Sequence, residues 1–338
     1  MKSNHSHKYR QQCCASYLPP IMMAVTTSTP PPWEQRLKQA QEVNAENIFI
    51  YRGGRAPRHV THVVIDKSIK IIPFRAFCCC EDLQYVKMHD GIEGIGKEAF
   101  MNCISLLMID IINVRVVGEM AFSRCGNLMS LENSERLAKI GVQAFLDCSS
   151  LGHINLPSVC VIEASGFAGC TNMTDAALGK HIKAIEISAF YYCTSLRRLR
   201  FELGDNDISI ASDSFDCCRQ LIFIELVGNI HKAISSLGLK QWQDDMNHEV
   251  NRINHLLPNI HASQKTAELS QWVDTVQSKI ACYKLKENTS LLELALWKAT
   301  TLDIGECGSV WERQTFRISC GAAVVIPNVL AFIEATDL

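Results

Sequence analysis

A phenylalanine followed three residues later by a cysteine recurs seven times in the middle of this 338-residue chain. The steps between successive phenylalanines are 23, 22, 23, 22, 23 and 25 residues. A nearly fixed period of this length is typical of repeat architectures, in which each unit buries its apolar face only by stacking on its neighbours. The seven pairs are Phe77/Cys80, Phe100/Cys103, Phe122/Cys125, Phe145/Cys148, Phe167/Cys170, Phe190/Cys193 and Phe215/Cys218.

Other apolar positions keep the same register. Five residues before each phenylalanine stands Ile72, Ile95, Val117, Ile140, Ile162, Ile185 or Ile210. Three residues after each cysteine a leucine begins an L-x-x-L-x-L pattern, with Met173 in place of one leucine and Asn133 at one inward position. The period-two end of this pattern predicts a short strand, and the A-F-x-x-C segment predicts a helical or tighter turn on the opposite side of the coil. The last spacer is longer, and its Gly204–Asp207 stretch is predicted to bulge as a loop.

The run from Gly94 to Leu106, GIGKEAFMNCISL, resembles the BspA-like leucine-rich repeat, and the likeness covers about residues 48–227. The stretch from Thr289 to Ala299 resembles a C-terminal segment that accompanies such repeats in some members from unicellular eukaryotes. The resemblance implies an α/β repeat fold, a leucine-rich-repeat solenoid of about seven repeats of 22–25 residues followed by a small helical region. It also implies a binding scaffold, because this class has no shared catalytic residues.

The regions that flank the repeats have different patterns. A helix over Trp33–Asn44 and a first strand over Val60–Ile65 are expected to form an N-terminal cap, and the apolar spacing after Val227 changes to that of helices. Three helices are predicted there, over Trp242–Leu257, Leu269–Tyr283 and Ser290–Ala299. The predicted regions are a disordered tail (1–32), the cap (33–65), the solenoid (66–230), a helical bundle or C-terminal cap (231–300), and a tail with one apolar segment at Ala322–Ile333 (301–338).

Composition restricts the partners and the compartment. The formal charge is -2, which excludes a whole-protein field that would attract nucleic acid or an anionic membrane, and no apolar run reaches the ~20 residues of a membrane span. The 16 cysteines lack C-x-x-C spacing, and seven of them occupy core positions of the repeat. We therefore expect reduced, buried thiols and a cytoplasmic or other intracellular location. We also expect the protein to be a monomer. A secreted or cell-surface adhesion module is the alternative.

The candidate binding site is the strand face that this architecture presents to ligands, predicted to be concave. Its outward residues combine both charge signs with aromatic side chains and a methionine, which favours a protein partner of unknown identity over nucleic acid. We expect Tyr85, Met108 and Phe223 to be exposed there. The candidate residues are Tyr85, Lys87, Met108, Asp110, Glu132, His153, Asn155, Asp175, Arg198, Arg200, Phe223 and Glu225.

We predict no catalytic residues, cofactor or metal, and hence no enzyme. His248 and His255 stand two helical turns apart, roughly 10 Å, which is too far to share one ion. The basic, glycine-containing segment Arg52–Arg58 precedes a strand and is interpreted as a turn. A less favoured alternative is a thiol-dependent redox enzyme that uses Cys217-Cys218 or Cys78–Cys80, which would require a thiolate stabilised by positive charge.

Overall fold

The computed structural model describes residues 48–303 except 112, 133, 203, 205–206 and 228–235. Within these residues the chain forms a solenoid, in which the strands of consecutive coils pair in parallel, and the solenoid ends against two α-helices. Each coil of about 23 residues has a longer strand on one side, a two-residue strand on another, and the A-F-x-x-C segment as a tight turn between coils. The predicted solenoid followed by a helical region is therefore confirmed.

The strands alternate in length along the chain because each coil carries one of each kind. They are β1 (Ile48–Tyr51), β2 (His62–Ile65), β3 (Ile71–Ile72), β4 (Tyr85–Lys87), β5 (Gly94–Ile95), β6 (Met108–Asp110), β7 (Val116–Val117), β8 (Ser130–Glu132), β9 (Lys139–Ile140), β10 (His153–Leu156), β11 (Val161–Ile162), β12 (Asp175–Leu178), β13 (Ala184–Ile185), β14 (Arg198–Glu202), β15 (Ser209–Ile210) and β16 (Phe223–Val227). Short 3-10 turns cover Ser134–Arg136, Leu257–Asn259 and Ala262–Gln264.

All strand pairs are parallel, as consecutive coils of a solenoid require. The longer strands form two sheets, one with the order β1-β2-β4-β6-β8 and one with the order β10-β12-β14-β16. The two-residue strands form a third, seven-stranded sheet from β15 to β3. In every coil the register aligns equivalent residues, for example Ile154 with Ala176 and Ala176 with Leu199. A side chain therefore contacts the same repeat position in the coils before and after it.

The seven repeat phenylalanines form a continuous buried stack. All seven are fully buried, and neighbouring rings lie 5.0–5.4 Å apart between centroids with planes within 12° of parallel. These separations fall in the range for offset stacking and match the spacing of parallel strands, about 4.8 Å. Tyr51 continues the stack at the N-terminal end, 4.7 Å from the ring of Phe77. The stack thus begins one coil before the first phenylalanine of the sequence pattern.

The repeat cysteines connect neighbouring coils through their thiols. The Cys103 thiol donates a hydrogen bond to the carbonyl of Phe77 at 3.1 Å, and the same bond recurs from Cys125 to Phe100 and from Cys148 to Phe122. The backbone amide of Cys103 donates to the Phe100 carbonyl of its own coil. Cysteine suits the position because it is small and apolar yet still has a donor. The F-x-x-C spacing is explained by these two bonds.

Two residues in each turn adopt the left-handed backbone conformation, one two positions before the phenylalanine and one two positions after it. Around Phe145, for example, these are Gln143 and Asp147, with φ of 54° and 58°. Only Gly169 is a glycine at such a position; the other thirteen residues have side chains. The A-F-x-x-C segment is therefore a tight turn and not a helical one, and each turn holds its residues in a conformation that costs roughly 1–2 kcal/mol per residue.

Two helices follow the last coil, where the sequence analysis predicted three. They are α1 (Ser236–Leu256) and α2 (Lys265–Asp303). The predicted second and third helices are one 39-residue helix, α2. No proline or glycine lies between Tyr283 and Ser290, so nothing in the sequence interrupts the helical hydrogen bonds there. Trp242, Met246 and Ile253 of α1 and Trp272 and Val276 of α2 are buried as the apolar spacing predicted.

Side chains from the helices satisfy hydrogen bonds of the coil that contains β16, the last strand in the part of the chain that the structure describes. Asn254 of α1 accepts from the Ile224 amide at 2.7 Å and donates to the Ile224 carbonyl at 3.0 Å. Thr266 accepts from the Phe215 amide at 2.9 Å and donates to Asp216 at 3.0 Å. The Lys265 ammonium donates to the carbonyls of Arg219 and Leu221. The helices thus replace the backbone of a following coil.

The first strand lies further upstream than the sequence analysis placed it. β1 at Ile48–Tyr51 pairs with β2, whereas the prediction began the strands at Val60–Ile65. β1 has only four residues, and its buried residue is Tyr51, whereas the later strands bury mostly aliphatic residues. The sequence of β1 therefore lacks the signature of the repeat. Some predictions concern segments outside the described residues: the tail over 1–32, the Trp33–Asn44 helix, Asn133, part of the Gly204–Asp207 loop and the Ala322–Ile333 segment.

Replacing Phe145 by alanine should destabilise the protein strongly, because the ring lies between Phe122 and Phe167 in the middle of the stack. We expect the free energy of unfolding to fall by about 3–5 kcal/mol. Lys87→Ala, on the exposed side of β4, should change it by less than about 0.5 kcal/mol. Urea unfolding followed by circular dichroism measures both, and similar losses for the two variants would refute the inward and outward assignments.

Asn254→Ala should also be destabilising, because it removes both partners of the Ile224 peptide group at once. We expect a loss of about 1–3 kcal/mol, the cost of leaving such groups without a partner. Asn251→Ala is the matched control, since Asn251 is exposed on the same helix and gains the same helix propensity. If both variants unfold at the same urea concentration, the helices do not stabilise the last coil in this way.

Candidate functional site

The candidate site is the outward face of the longer strands, which we call the long-strand face. In β10, β12, β14 and β16 the parallel register aligns outward residues into two rows that run across the sheet. The first row is His153, Asp175, Arg198 and Phe223, and the second is Asn155, Ala177, Arg200 and Glu225. Successive members of a row are one strand spacing apart, about 4.8 Å, so each side chain can contact its neighbours.

Arg198 is the centre of the first row. Its Nε lies 3.6 Å from Oδ1 of Asp175 on one side, and its guanidinium carbon lies 5.7 Å from the ring centroid of Phe223 on the other. Phe223 is 43% exposed. The arrangement orients an arginine and a phenylalanine side by side on a rigid sheet, and both remain accessible to another molecule.

Arg200 and Glu225 form a second charged pair in the adjacent row, with Nε and Oε2 3.0 Å apart. Both side chains stay 39% exposed or more, so water screens the pair and it adds at most about 1 kcal/mol to stability. Two arginines and two acidic side chains therefore lie within one small area. Such a surface can exchange its internal ion pairs for pairs with a partner at little net cost.

The other predicted site residues lie on the first sheet. Tyr85 of β4 aligns with Met108 of β6, and Asp110 aligns with Glu132 of β8. Lys87 is exposed, and the ring of Tyr85 lies 6.4 Å from that of His62. The structure thus places five candidates on the first sheet and brings seven together on the second, namely His153, Asn155, Asp175, Arg198, Arg200, Phe223 and Glu225.

The prediction that Met108 is exposed is wrong. Met108 retains only 8% of its accessible surface, although it points to the outward side of β6. The register places it between Tyr85 and Ser130, so residues of the two neighbouring strands flank it on both sides. Period two alone shows which face a residue takes, but its exposure depends on the neighbouring strands.

A pocket of about 290 Å³ adjoins the second sheet and was not anticipated from the sequence. It lies between β16 and α1, and it is lined among others by Phe223, Glu225, Val227, Trp242 and Met246. Phe223 therefore belongs both to the first row of the long-strand face and to this pocket. The helical spacing of Trp242 and Met246 is visible in the sequence. Their position beside β16 depends on the tertiary structure, which the spacing does not specify.

The thiols of the repeat have a structural role. Burial raises the pKa values of Cys103, Cys125 and Cys170 well above the ordinary thiol value and that of Cys80 to about 11. A raised pKa keeps the thiol protonated, which preserves its hydrogen bond to the preceding coil and makes it a poor nucleophile. Cys218, one of the residues of the redox alternative, donates to the Phe190 carbonyl at 3.2 Å in the same way.

The remaining sequence predictions concern the Arg52–Arg58 segment, metal ligands and membrane-spanning helices. Tyr51 donates its hydroxyl hydrogen bond to the Gly54 carbonyl, and Gly53 and Gly54 have φ of 121° and 79°, so the Arg52–Arg58 segment is a glycine turn as expected. Among residues 48–303, with the gaps given above, no three metal-ligating side chains converge. Within the same residues, no helix combines the length and apolarity that crossing a bilayer requires.

Comparison with solved structures finds other leucine-rich repeat proteins. The chain is 24% identical to one from T. pallidum, with a TM-score of 0.37, over 52% of this chain and 71% of that one. A leucine-rich cell surface protein from Faecalibacterium prausnitzii is 20% identical, with a TM-score of 0.35, over 50% of this chain and 60% of that one. One from Bacteroides ovatus is 19% identical, with a TM-score of 0.29, over 53% and 69%.

The repeat region also matches a family description. No curated protein matches the chain. The BspA type leucine rich repeat region, in six copies, matches residues 56–174 and 160–238, which together are just over half of the sequence. These bounds include the repeats whose phenylalanines and cysteines form the buried stack. The chain therefore belongs to the BspA-type leucine-rich repeat family.

Proposed function

We propose that this protein is a non-enzymatic scaffold that binds a protein partner, as a monomer, through the long-strand face. Its family indicates a protein-interaction or surface repeat module. The observation that carries the proposal is the position of Arg198 between Asp175 and Phe223, with all three side chains accessible. Arginine and aromatic residues supply most of the binding energy in protein interfaces, provided that they become buried in the complex.

The mixed charge of the face supports a protein over a nucleic acid. Arg198 and Arg200 each lie against a carboxylate, so the positive charge that a phosphate backbone would need is already neutralised within the sheet. A folded partner with its own acidic and basic groups complements such a surface. The rigid stack beneath the strands lowers the entropic cost of binding, because the rows are already ordered.

Arg198→Glu/Phe223→Ala tests the proposal. Tagged full-length protein should capture its specific partner from the cells that produce it, and the double variant should recover roughly tenfold less of it or worse. Lys183→Glu/Ile187→Ala is the matched control: it makes the same charge change and removes a similar exposed apolar side chain beside the short strand β13. Binding of the purified partner then verifies the difference directly.

Equal recovery by wild type and the Arg198→Glu/Phe223→Ala variant would contradict a role for this face. Equal losses in both double variants would also contradict it, since the effect would then follow from net charge alone. Because the substituted residues are exposed, we expect both variants to unfold within about 0.5 kcal/mol of wild type.

We further propose an intracellular location, which the state of the cysteines supports. Every cysteine among the described residues is a free thiol, and six of the repeat thiols donate hydrogen bonds to phenylalanine carbonyls of the preceding coil. Oxidation would remove those donors. A reducing compartment preserves them, whereas an exported adhesion module would be exposed to oxidants.

Thiol counting distinguishes the two locations. Protein purified from its natural source without reductant should react with few equivalents of a thiol reagent when folded. After unfolding we expect nearly all of its 16 cysteines to react. The physical reason is that the repeat thiols are buried and protonated. If most cysteines stay unreactive after unfolding until a reductant is added, the protein is oxidised and the intracellular proposal is wrong.

A further inference from the structure

Cys78 and Cys79 are adjacent thiols that do not belong to the repeat ladder. The ladder position of their coil is Cys80, whose thiol donates to the Pro57 carbonyl. The Sγ atoms of Cys78 and Cys79 lie 3.6 Å apart, in contact with each other. Cys78 is 5% exposed and Cys79 is half-buried, so a reagent reaches Cys79 from solvent and Cys78 lies just behind it.

The surroundings of this pair differ from those of the ladder thiols. Asn102 donates a hydrogen bond to the Cys79 sulfur at 3.7 Å, and Arg55 lies within 3.5 Å of the Cys78 carbonyl. Burial raises the pKa of the Cys78 thiol, and the hydrogen bond with Cys79 raises it further, while the positive charges of Arg55 and Arg75 oppose both effects. The pKa of the Cys78 thiol is raised overall, so Cys78 is held protonated behind Cys79, the cysteine that solvent reaches.

Cys217 and Cys218 provide an internal comparison, because they are also adjacent and occupy the positions of Cys79 and Cys80 in another turn. Cys79 and Cys217 both follow the repeat phenylalanine by two residues and have φ of 62° and 63°. Cys217 follows Asp216, however, and its adjacent thiol is Cys218, a fully buried ladder residue whose hydrogen bond goes to Phe190. Adjacency in sequence is therefore the same at the two sites, but only at Cys78 and Cys79 are the adjacent sulfur atoms in contact.

We propose that Cys78 and Cys79 form a redox-active dithiol, which low-molecular-weight disulfides such as glutathione disulfide convert into an intramolecular disulfide. The proposal goes beyond the binding function and does not depend on it. The two sulfurs must approach by about 1.6 Å, from 3.6 Å to a bond length of about 2.0 Å, and their adjacent Cα atoms, about 3.8 Å apart, are closer than in most disulfides. A disulfide between adjacent residues closes a strained ring, so it should be readily reduced again.

The reaction has two exchange steps. The Cys79 thiolate attacks one sulfur of glutathione disulfide, forms a mixed disulfide and releases one glutathione thiolate. Cys78 then loses its proton and attacks the Cys79 sulfur, which forms the Cys78–Cys79 bond and releases the second glutathione thiolate. The two cysteines lose two electrons and two protons in total, and glutathione disulfide gains the electrons and becomes two molecules of glutathione.

The test uses the reduced full-length chain, equilibrated in buffers of increasing glutathione disulfide to glutathione ratio, quenched with acid and alkylated. Because a strained disulfide forms only under more oxidising conditions, peptide mass spectrometry should find the Cys78–Cys79 peptide lighter by two hydrogen atoms at the higher ratios, while the buried repeat thiols stay reduced. Cys103, Cys125 and Cys148 should be alkylated only after unfolding. Cys78→Ser should accumulate a glutathione adduct on Cys79, because the resolving thiol is gone, and circular dichroism checks that this variant folds.

Four results would overturn the proposal, and all four come from the wild-type chain, so none of them needs a variant to fold. In the first, Cys78 and Cys79 stay reduced across all the ratios. In the second, a glutathione adduct persists on Cys79 and no bond to Cys78 forms. In the third, Cys217 and Cys218 form a disulfide at the same ratio, which would mean that adjacency in sequence is sufficient. A link from either residue to Cys80 in place of the predicted bond is the fourth.

Discussion

Hydrogen bonding between successive coils is the constraint on which the rest of this structure depends. Parallel strands repeat at about 4.8 Å, so each coil must place equivalent side chains at nearly that distance. A phenylalanine ring satisfies this spacing by offset stacking at 5.0–5.4 Å, and a cysteine satisfies it with a thiol that reaches the preceding carbonyl. Both residues recur because the translation between coils is fixed.

The same constraint creates a difficulty at the last coil, whose amides and carbonyls have no next coil to pair with. Asn254 and Thr266 take the place of the missing backbone, and Lys265 donates to two carbonyls although burial lowers the pKa of its ammonium group. Losing solvation disfavours the charge, and the carbonyl dipoles partly compensate. At the first coil Tyr51 has the corresponding role for the aromatic stack, since its ring covers Phe77.

The repeated part of the fold was predictable, and the parts that occur once were not. Period and spacing identified the coils, the inward residues and the outward rows, because every coil repeats the same contacts. The left-handed residues beside each phenylalanine were missed, since Gln143 and Asp147 have no glycine signature. The exposure of Met108, the continuity of α2 and the pocket beside Trp242 depend on contacts between distant parts of the chain, which a periodic pattern does not contain.

The coil separates three kinds of chemistry onto different sides. Inward residues are fixed by stacking, so Phe145 has no freedom to vary, whereas outward residues of the longer strands contact only their row neighbours. A row can therefore acquire an Arg198 beside a Phe223 without disturbing the core. Turn residues have a third environment, in which Cys78 and Cys79 lie near Arg55 and away from the long-strand face. Because strand and turn are separate parts of each coil, turn residues such as Cys78 and Cys79 can differ from one coil to the next while the outward rows of the longer strands keep the same register.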